Sequence, residues 1–274
     1  MKKTLNVCII FLFIAGSAVL LYPTISSFIT GREQSVVVRD YDESVKSRQQ
    51  IENEKELEKA RLYNQTLGKM IIKDPFSINQ NKDEEKKYQE LLDIEGVMGY
   101  IEVPKIQLQI PIYHGTSEEV LEKGSGHLYG SSLPVGGSST NTVLTGHRGL
   151  PKAKLFTDLD KIEKGDKIYI HVLDKTLAYE VKTIKVIEPY ELDDLNIKSG
   201  QDLVTLFTCT PYGVNSHRLV IQGERINMDS NSALKESETK MLSVNKDYFT
   251  LVLGIVACIF IAAIIFIYIY KHIH

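Results

Sequence analysis

The chain has 274 residues, with 32 Lys and Arg against 35 Asp and Glu for a formal net charge of −3, 43% hydrophobic residues and three cysteines. Acidic and basic residues are interspersed and no Lys/Arg block stands out, so the composition excludes the basic footprint of a nucleic-acid binder. The length admits one or two domains, and fewer once two long apolar runs are set aside.

The first run, LNVCIIFLFIAGSAVLLY at residues 5–22, follows Lys2 and Lys3 and has the charged start and apolar middle of an export signal or anchor. Gly16 and Ala18 would suit a signal peptidase, but Val19, Leu20 and Leu21 continue the run. Residues 1–30 are therefore expected to form an uncleaved signal anchor. Residues 31–94 follow as a helical spacer. Within it, residues 36–70 are rich in good helix formers and lack proline, with a thin apolar stripe at Tyr41/Val45 and Tyr63/Leu67. Residues 36–60 are expected to be a solvated spacer, and the part near Tyr63 to pack on the next domain. Asp74-Pro75-Phe76 ends the helix, because a residue before proline is pushed out of the α region. By itself this triplet reads as a turn. A second helix is expected over about 83–92.

Beyond Gly96 the texture changes. VMGYIEVPKI, IQLQIPIYHG, NTVLTGHRG, DKIYIHVL, LAYEVKTIKVIEP, DLVTLFTC and HRLVIQGERI are short, rich in β-branched and aromatic residues, and bounded by Gly, Pro, Asn or Asp. They predict the strands of a barrel or sandwich over residues 95–227, large enough to bury one core without disulfides. Short helical inserts are expected over 117–123 and 153–159, and SLPVGGSST at 132–140 reads as a flexible surface loop. A polar linker follows over 228–246. The second apolar run, at 248–270, carries no charge and at about 1.5 Å per residue would cross a bilayer core of about 30 Å. This predicts a transmembrane helix over 247–270 with a tail at 271–274. Lys271 and the flanking histidines match Lys2 and Lys3, so both ends are expected to be cytoplasmic and everything between them outside.

Cys8 and Cys258 fall inside the apolar runs, which leaves Cys209 as the one cysteine of the intervening segment. An exported protein ordinarily pairs its thiols, so this residue reads as a buried inert thiol, an intermolecular link or a reactive nucleophile. A nucleophilic thiolate needs a nearby cation and a group that manages the leaving group's proton. His147 ends a predicted strand within T-G-H-R-G, where flanking glycines free the backbone and open access to the imidazole. A hairpin through TPYGVNSH would bring Arg218 back beside Cys209 and turn His217 to the opposite face. The arginine fork keeps its proton and can hold a carbonyl oxygen as it gains charge. His114 and His127 read as structural, and no Cys/His/Asp/Glu cluster has metal-ligand spacing, so neither metal nor cofactor is expected.

Together T-L-x-T-C at 205–209, the T-G-H-R-G box around His147 and the N-x-H-R-L segment around Arg218 resemble a sortase over about residues 74–225. The resemblance implies a mainly β fold, a closed eight-stranded β-barrel with short helices, preceded by the helical segment and flanked by the two membrane helices. It implies thiol attack by Cys209 on a Leu-Pro-x-Thr-Gly-like sorting signal, with His147 as acid and base, Arg218 as donor to substrate or oxyanion, and an amine that resolves the acyl-enzyme. The D-P-F segment and the second anchor resemble class C, pilin-polymerising sortases. In that class the segment, here about 73–77, forms a lid in which Asp74 reaches Arg218 and the Phe76 ring covers Cys209.

The expected protein is thus a two-pass enzyme on the outer face of a Gram-positive cell membrane, with pilin subunits as partners and a pilin lysine as acceptor. Two other readings stand beside it: a sortase that attaches surface proteins to a peptidoglycan amine, and a non-catalytic membrane scaffold that binds pilin tails.

Overall fold

The structure is a computed structural model, and it describes residues 2–67, 85–227 and 254. Chain contacts divide it into two units, Met1–Ser230 and Asn231–His274; of the second, Gly254 is described and is helical. The D-P-F segment, the linker and all of the C-terminal apolar run except Gly254 lie outside the described residues. Among the described residues no helix is long and apolar enough to cross a membrane. The two flanking membrane helices therefore remain expectations of the sequence.

Eight strands close into a barrel: β1 (Gly99–Val103), β2 (Leu108–His114), β3 (Ser125–His127), β4 (Thr140–Thr145), β5 (Lys167–Val172), β6 (Lys175–Ile187), β7 (Asp202–Thr210) and β8 (His217–Arg225). Their order around the barrel is β1-β2-β3-β4-β7-β8-β6-β5, with β5 returning to β1. The pairs β2–β3 and β4–β7 are parallel, and the other pairs antiparallel. Seven of the eight strands coincide with segments predicted from β-branched and aromatic content. The eighth, β3, is Ser-Gly-His and carries no such signal. It forms because it threads between β2 and β4, where a side chain at Gly126 would sit 2.4 Å from the Gly115 carbonyl oxygen.

Strand alternation sorts the core into two layers. Val204 and Leu206 of β7, Leu219 and Ile221 of β8 and Leu144 of β4 join the main cluster, with Ile101, Ile112, Ile170 and Tyr179 from the other walls. Their neighbours Phe207, Val220 and Val143 point the other way, into a second cluster with Leu128, Ile187 and Leu195. The segment after β6 that carries Leu192 and Leu195 therefore lies over the outer face of β4, β7 and β8. With both faces buried, these central strands read as nearly continuous apolar runs.

The helices ahead of the barrel depart from the expected solvated spacer. α1 (Lys2–Ser47) is a single helix and α2 (Gln50–Thr66) follows after a short break. Val38, Tyr41 and Val45 of α1 and Leu57 and Ala60 of α2 are buried in the main cluster. The Tyr41 hydroxyl donates to the Met98 carbonyl at 3.2 Å and accepts from the Leu173 amide at 2.7 Å. Charge-rich composition misled here because a few apolar residues on one stripe suffice to dock a helix. The loop expected to be flexible is likewise held: Asn64 of α2 accepts from the Leu133 amide at 2.7 Å and donates to its carbonyl at 3.1 Å, and Ser132 and Leu133 are fully buried. Of the inserts, α4 (Glu118–Lys123) is capped by Ser117, and residues Leu155–Lys161 form a 3₁₀ turn. Of the helix expected over 83–92, the described part is α3 (Glu85–Gln89), which ends before Leu92.

His114 and His127 take structural places. The Nε2 of His114 lies 2.8 Å from the Leu91 carbonyl. His127 is fully buried, with Nε2 2.8 Å from the Ser132 carbonyl and Nδ1 2.8 Å from the Tyr88 hydroxyl. A carbonyl can only accept, so Nε2 carries the proton and Nδ1 is the acceptor of the neutral ring. Burial pushes the His127 pKa down to about 4, against a smaller opposing effect of the Ser132 carbonyl. The unfolded chain takes up a proton near pH 6.5 that the folded chain refuses until about pH 4. The contribution of a neutral His127 is thus complete above about pH 6.5 and is lost as the pH falls toward 4, to a total of about 3 kcal/mol. Urea unfolding of the wild type and of His127→Gln across this window is expected to show a smaller acid-side loss in the variant, the remainder including that of His114, whose pKa burial also lowers.

Candidate active site

The site residues are set by three neighbouring strands. Cys209 of β7 and Arg218 of β8 are directly paired across the antiparallel ladder, as the predicted hairpin requires. Residues opposite one another share a face. Cys209 stands two residues past Phe207, and Arg218 two before Val220, so both belong to the outer face that carries the second apolar cluster. On the other side of β7, the parallel register aligns Thr145 with Phe207. Two residues further on, His147 leaves β4 abreast of Cys209. Imidazole, thiol and guanidinium thus come from adjacent strands at one end of the barrel.

Local contacts fix each part. The Thr208 hydroxyl donates to the Gly146 carbonyl at 2.7 Å, which ties the histidine box to the cysteine strand. Gly146 is glycine for a reason of space: a Cβ there would lie 2.9 Å from the Phe156 ring. The His147 carbonyl accepts from the Phe156 amide at 3.1 Å, so the 3₁₀ turn supports the box from below. The imidazole is largely covered, and its Nε2 lies 3.2 Å from the Glu118 carboxylate of α4, which is mostly in solvent. A contact with so exposed a carboxylate orients the ring more than it stabilises the fold.

Arg218 is 8% exposed, and its Nη1 donates to the Asn215 and His217 carbonyls, both at 3.2 Å. The fork is therefore anchored on the turn that joins β7 to β8. His217 pairs with Thr210 and faces away, with Nε2 3.3 Å from Glu188. Cys209 is partly buried. Asp74 and Phe76, expected as a lid, lie outside the described residues.

Three neighbours of the site were not singled out from the sequence. Glu118 is one of several acidic residues on a short helix, and nothing in its spacing links it to His147. Thr208 and Arg148 lie inside the quoted motifs but read there as flanking positions. Strand parity alone would have turned Thr208 away from Cys209, toward the bond it makes with Gly146.

A sortase domain model matches residues 101–226. A solved sortase C of Streptococcus pneumoniae is 46% identical, with a TM-score of 0.66, over 70% of this chain and 97% of that one. Sortase C-1 of Actinomyces oris is 48% identical, with a TM-score of 0.63, over 64% of this chain and 98% of that one. Sortase A of Bacillus anthracis is 30% identical over 49% of this chain, which spans 62% of the length of that curated relative. With the closed barrel, the Cys–Arg ladder pair and near-complete coverage of the solved chains, this chain belongs to the sortase family, and its structural neighbours are sortases C.

Proposed function

We propose that the chain is a membrane-anchored cysteine transpeptidase that cleaves a Leu-Pro-x-Thr-Gly-like signal between Thr and Gly and joins the threonine carbonyl to a pilin lysine. The observation that carries this reading is the three-strand arrangement: Cys209 paired with Arg218, and His147 brought abreast by the Thr145–Phe207 register. The Cys209 sulfur adds to the threonine carbonyl, and Arg218 donates to the oxygen as it becomes an oxyanion. The C–N bond then breaks, and His147 as imidazolium protonates the departing glycine amine, leaving a thioester and a neutral ring. The lysine amine attacks the thioester, His147 takes its proton, and the isopeptide product departs as the thiolate returns. No cofactor enters either half.

Support for pilin as the substrate comes from the neighbours, since the solved S. pneumoniae sortase C bears on pilin substrate specificity. The bound signal would lie across the end of the barrel where Cys209 and Arg218 stand, beyond the packed second cluster. Asp74 is assigned to occupy the Arg218 donors and Phe76 to cover Cys209 until substrate displaces both. Anchoring is supported by the N-terminal half of α1, where Leu12, Val19, Leu20, Tyr22, Ile25, Phe28 and Ile29 expose apolar surface that a bilayer would cover.

The test is mass spectrometry of the full chain incubated with sorting-signal peptides, then with pilin or a cell-wall amine as acceptor. A Cys209 adduct with the mass of the peptide up to threonine, followed by a pilin ladder, is the expected result. Transfer only to the wall amine would replace the pilin assignment, and no adduct with any signal would favour a binding scaffold.

A further inference from the structure

Arg148 follows the candidate acid–base directly, yet its side chain is only 6% exposed and turns inward. Its Nη1 donates to the Thr210 hydroxyl at 2.9 Å, its Nε donates to the Thr157 carbonyl at 3.2 Å, and its Nη2 lies 2.6 Å from the Asp160 carboxylate. One guanidinium thus holds three segments: the box after β4, the end of β7 and the 3₁₀ turn. The Gly149 amide adds a bond to the Thr157 hydroxyl at 3.2 Å, which fixes the backbone on the far side of the arginine.

The pattern becomes specific when set beside the other tether. Gly146 is bonded to Thr208, and Arg148 to Thr210. The two bonds fall on the residues immediately before and after His147 and on those immediately before and after Cys209. Between these rungs the imidazole and the thiol have little freedom to separate, even though His147 lies beyond the last ladder pair of β4 and β7. A surface arginine serving only solubility would not be buried on a threonine hydroxyl, and a purely structural ion pair would need Asp160 alone.

We infer that Arg148, acting through Thr210, is a positioning residue that fixes the distance between the imidazole of His147 and the sulfur of Cys209. It touches neither substrate nor the reacting atoms. The inference rests on the catalytic reading of His147 and Cys209 given above. Its planar fork matters because hydroxyl, carbonyl and carboxylate are met in one plane by different nitrogens, which a lysine ammonium cannot reproduce.

The test uses the full chain carrying Arg148→Met, Arg148→Lys or Thr210→Val. Steady-state cleavage of a sorting peptide is measured alongside the pH dependence of Cys209 alkylation by iodoacetamide. For Arg148→Met, kcat is expected to fall about 10- to 100-fold with KM nearly unchanged, since a misplacement of about 1 Å can cost that much. The alkylation profile is expected to shift along the pH axis, and added guanidinium to restore part of the rate. Arg148→Lys should fall between, and Thr210→Val should move both readouts in the same direction by a smaller factor. If Arg148→Met does not fold, Thr210→Val alone decides. Wild-type kcat and an unshifted alkylation profile in the folded variants would overturn the inference. Failure of the underlying reading looks different, because Cys209→Ala would then cleave as well as the wild type.

Discussion

Replacement of Cys209 by alanine is expected to abolish both cleavage and transfer, by about 10⁴-fold or more, while leaving the barrel folded. The size follows from the chemistry: without sulfur no thioester forms, and neither His147 nor Arg218 can supply an acyl carrier. Stability should change little, since Cys209 stands at the rim of the second apolar cluster and removal of one partly exposed sulfur leaves no sealed cavity. Cys209→Ser is the sharper variant. It keeps the size and a hydroxyl in nearly the same place, but an alcohol holds its proton far more tightly than a thiol, and an isolated imidazole is a poor base toward it. It is expected to bind sorting peptides with unchanged affinity and turn them over at a level near that of Cys209→Ala. Cleavage is checked by chromatography of the released Gly-containing fragment, and binding by fluorescence anisotropy of a labelled peptide. Serine turnover within about tenfold of the wild type would place the nucleophile elsewhere.

The barrel was legible because its strands are short, β-branched and bounded by turn residues, and because both faces of the central strands are buried. What escaped the sequence was made by tertiary contact. Strand β3 consists of Ser-Gly-His and pairs only because β2 and β4 flank it. Residues 36–60 look solvated by composition, yet Tyr41 makes two buried bonds to the backbone at Met98 and Leu173, while the part near Tyr63 packs as expected, with Asn64 bonded to Leu133. The same division holds at the site. Cys209 stands out by being the one thiol between the apolar runs, and Arg218 by the hairpin that returns it, so both could be located from local pattern. Glu118 and Arg148 could not, since their contacts with His147 and Thr210 join elements that meet only in the folded chain. A long-range bond leaves no periodicity to detect.

Arg218→Ala is expected to lower kcat/KM about 10²- to 10³-fold, the cost of removing a donor aimed at an oxyanion. Two features of the structure make the effect mainly one of rate. The guanidinium is already held by the Asn215 and His217 carbonyls, so little ordering remains to be done when the transition state forms. It is also largely buried, which in the proposed role would strengthen its attraction for a charge that appears only as the carbonyl is attacked. Arg218→Lys tests the fork against the charge. The ammonium is a compact point charge, so it cannot bond the turn carbonyls and also reach the oxyanion over the same span, and it is expected to recover less than about a tenth of the lost activity. The burial of Arg218 carries a second consequence: its loss leaves the two carbonyls short of a donor, and stability should fall by about 1–3 kcal/mol. The measurement is a pair of assays on each variant, peptide cleavage and urea unfolding. A drop in stability with kcat unchanged would reduce Arg218 to a brace for the β7–β8 turn and remove it from the reaction.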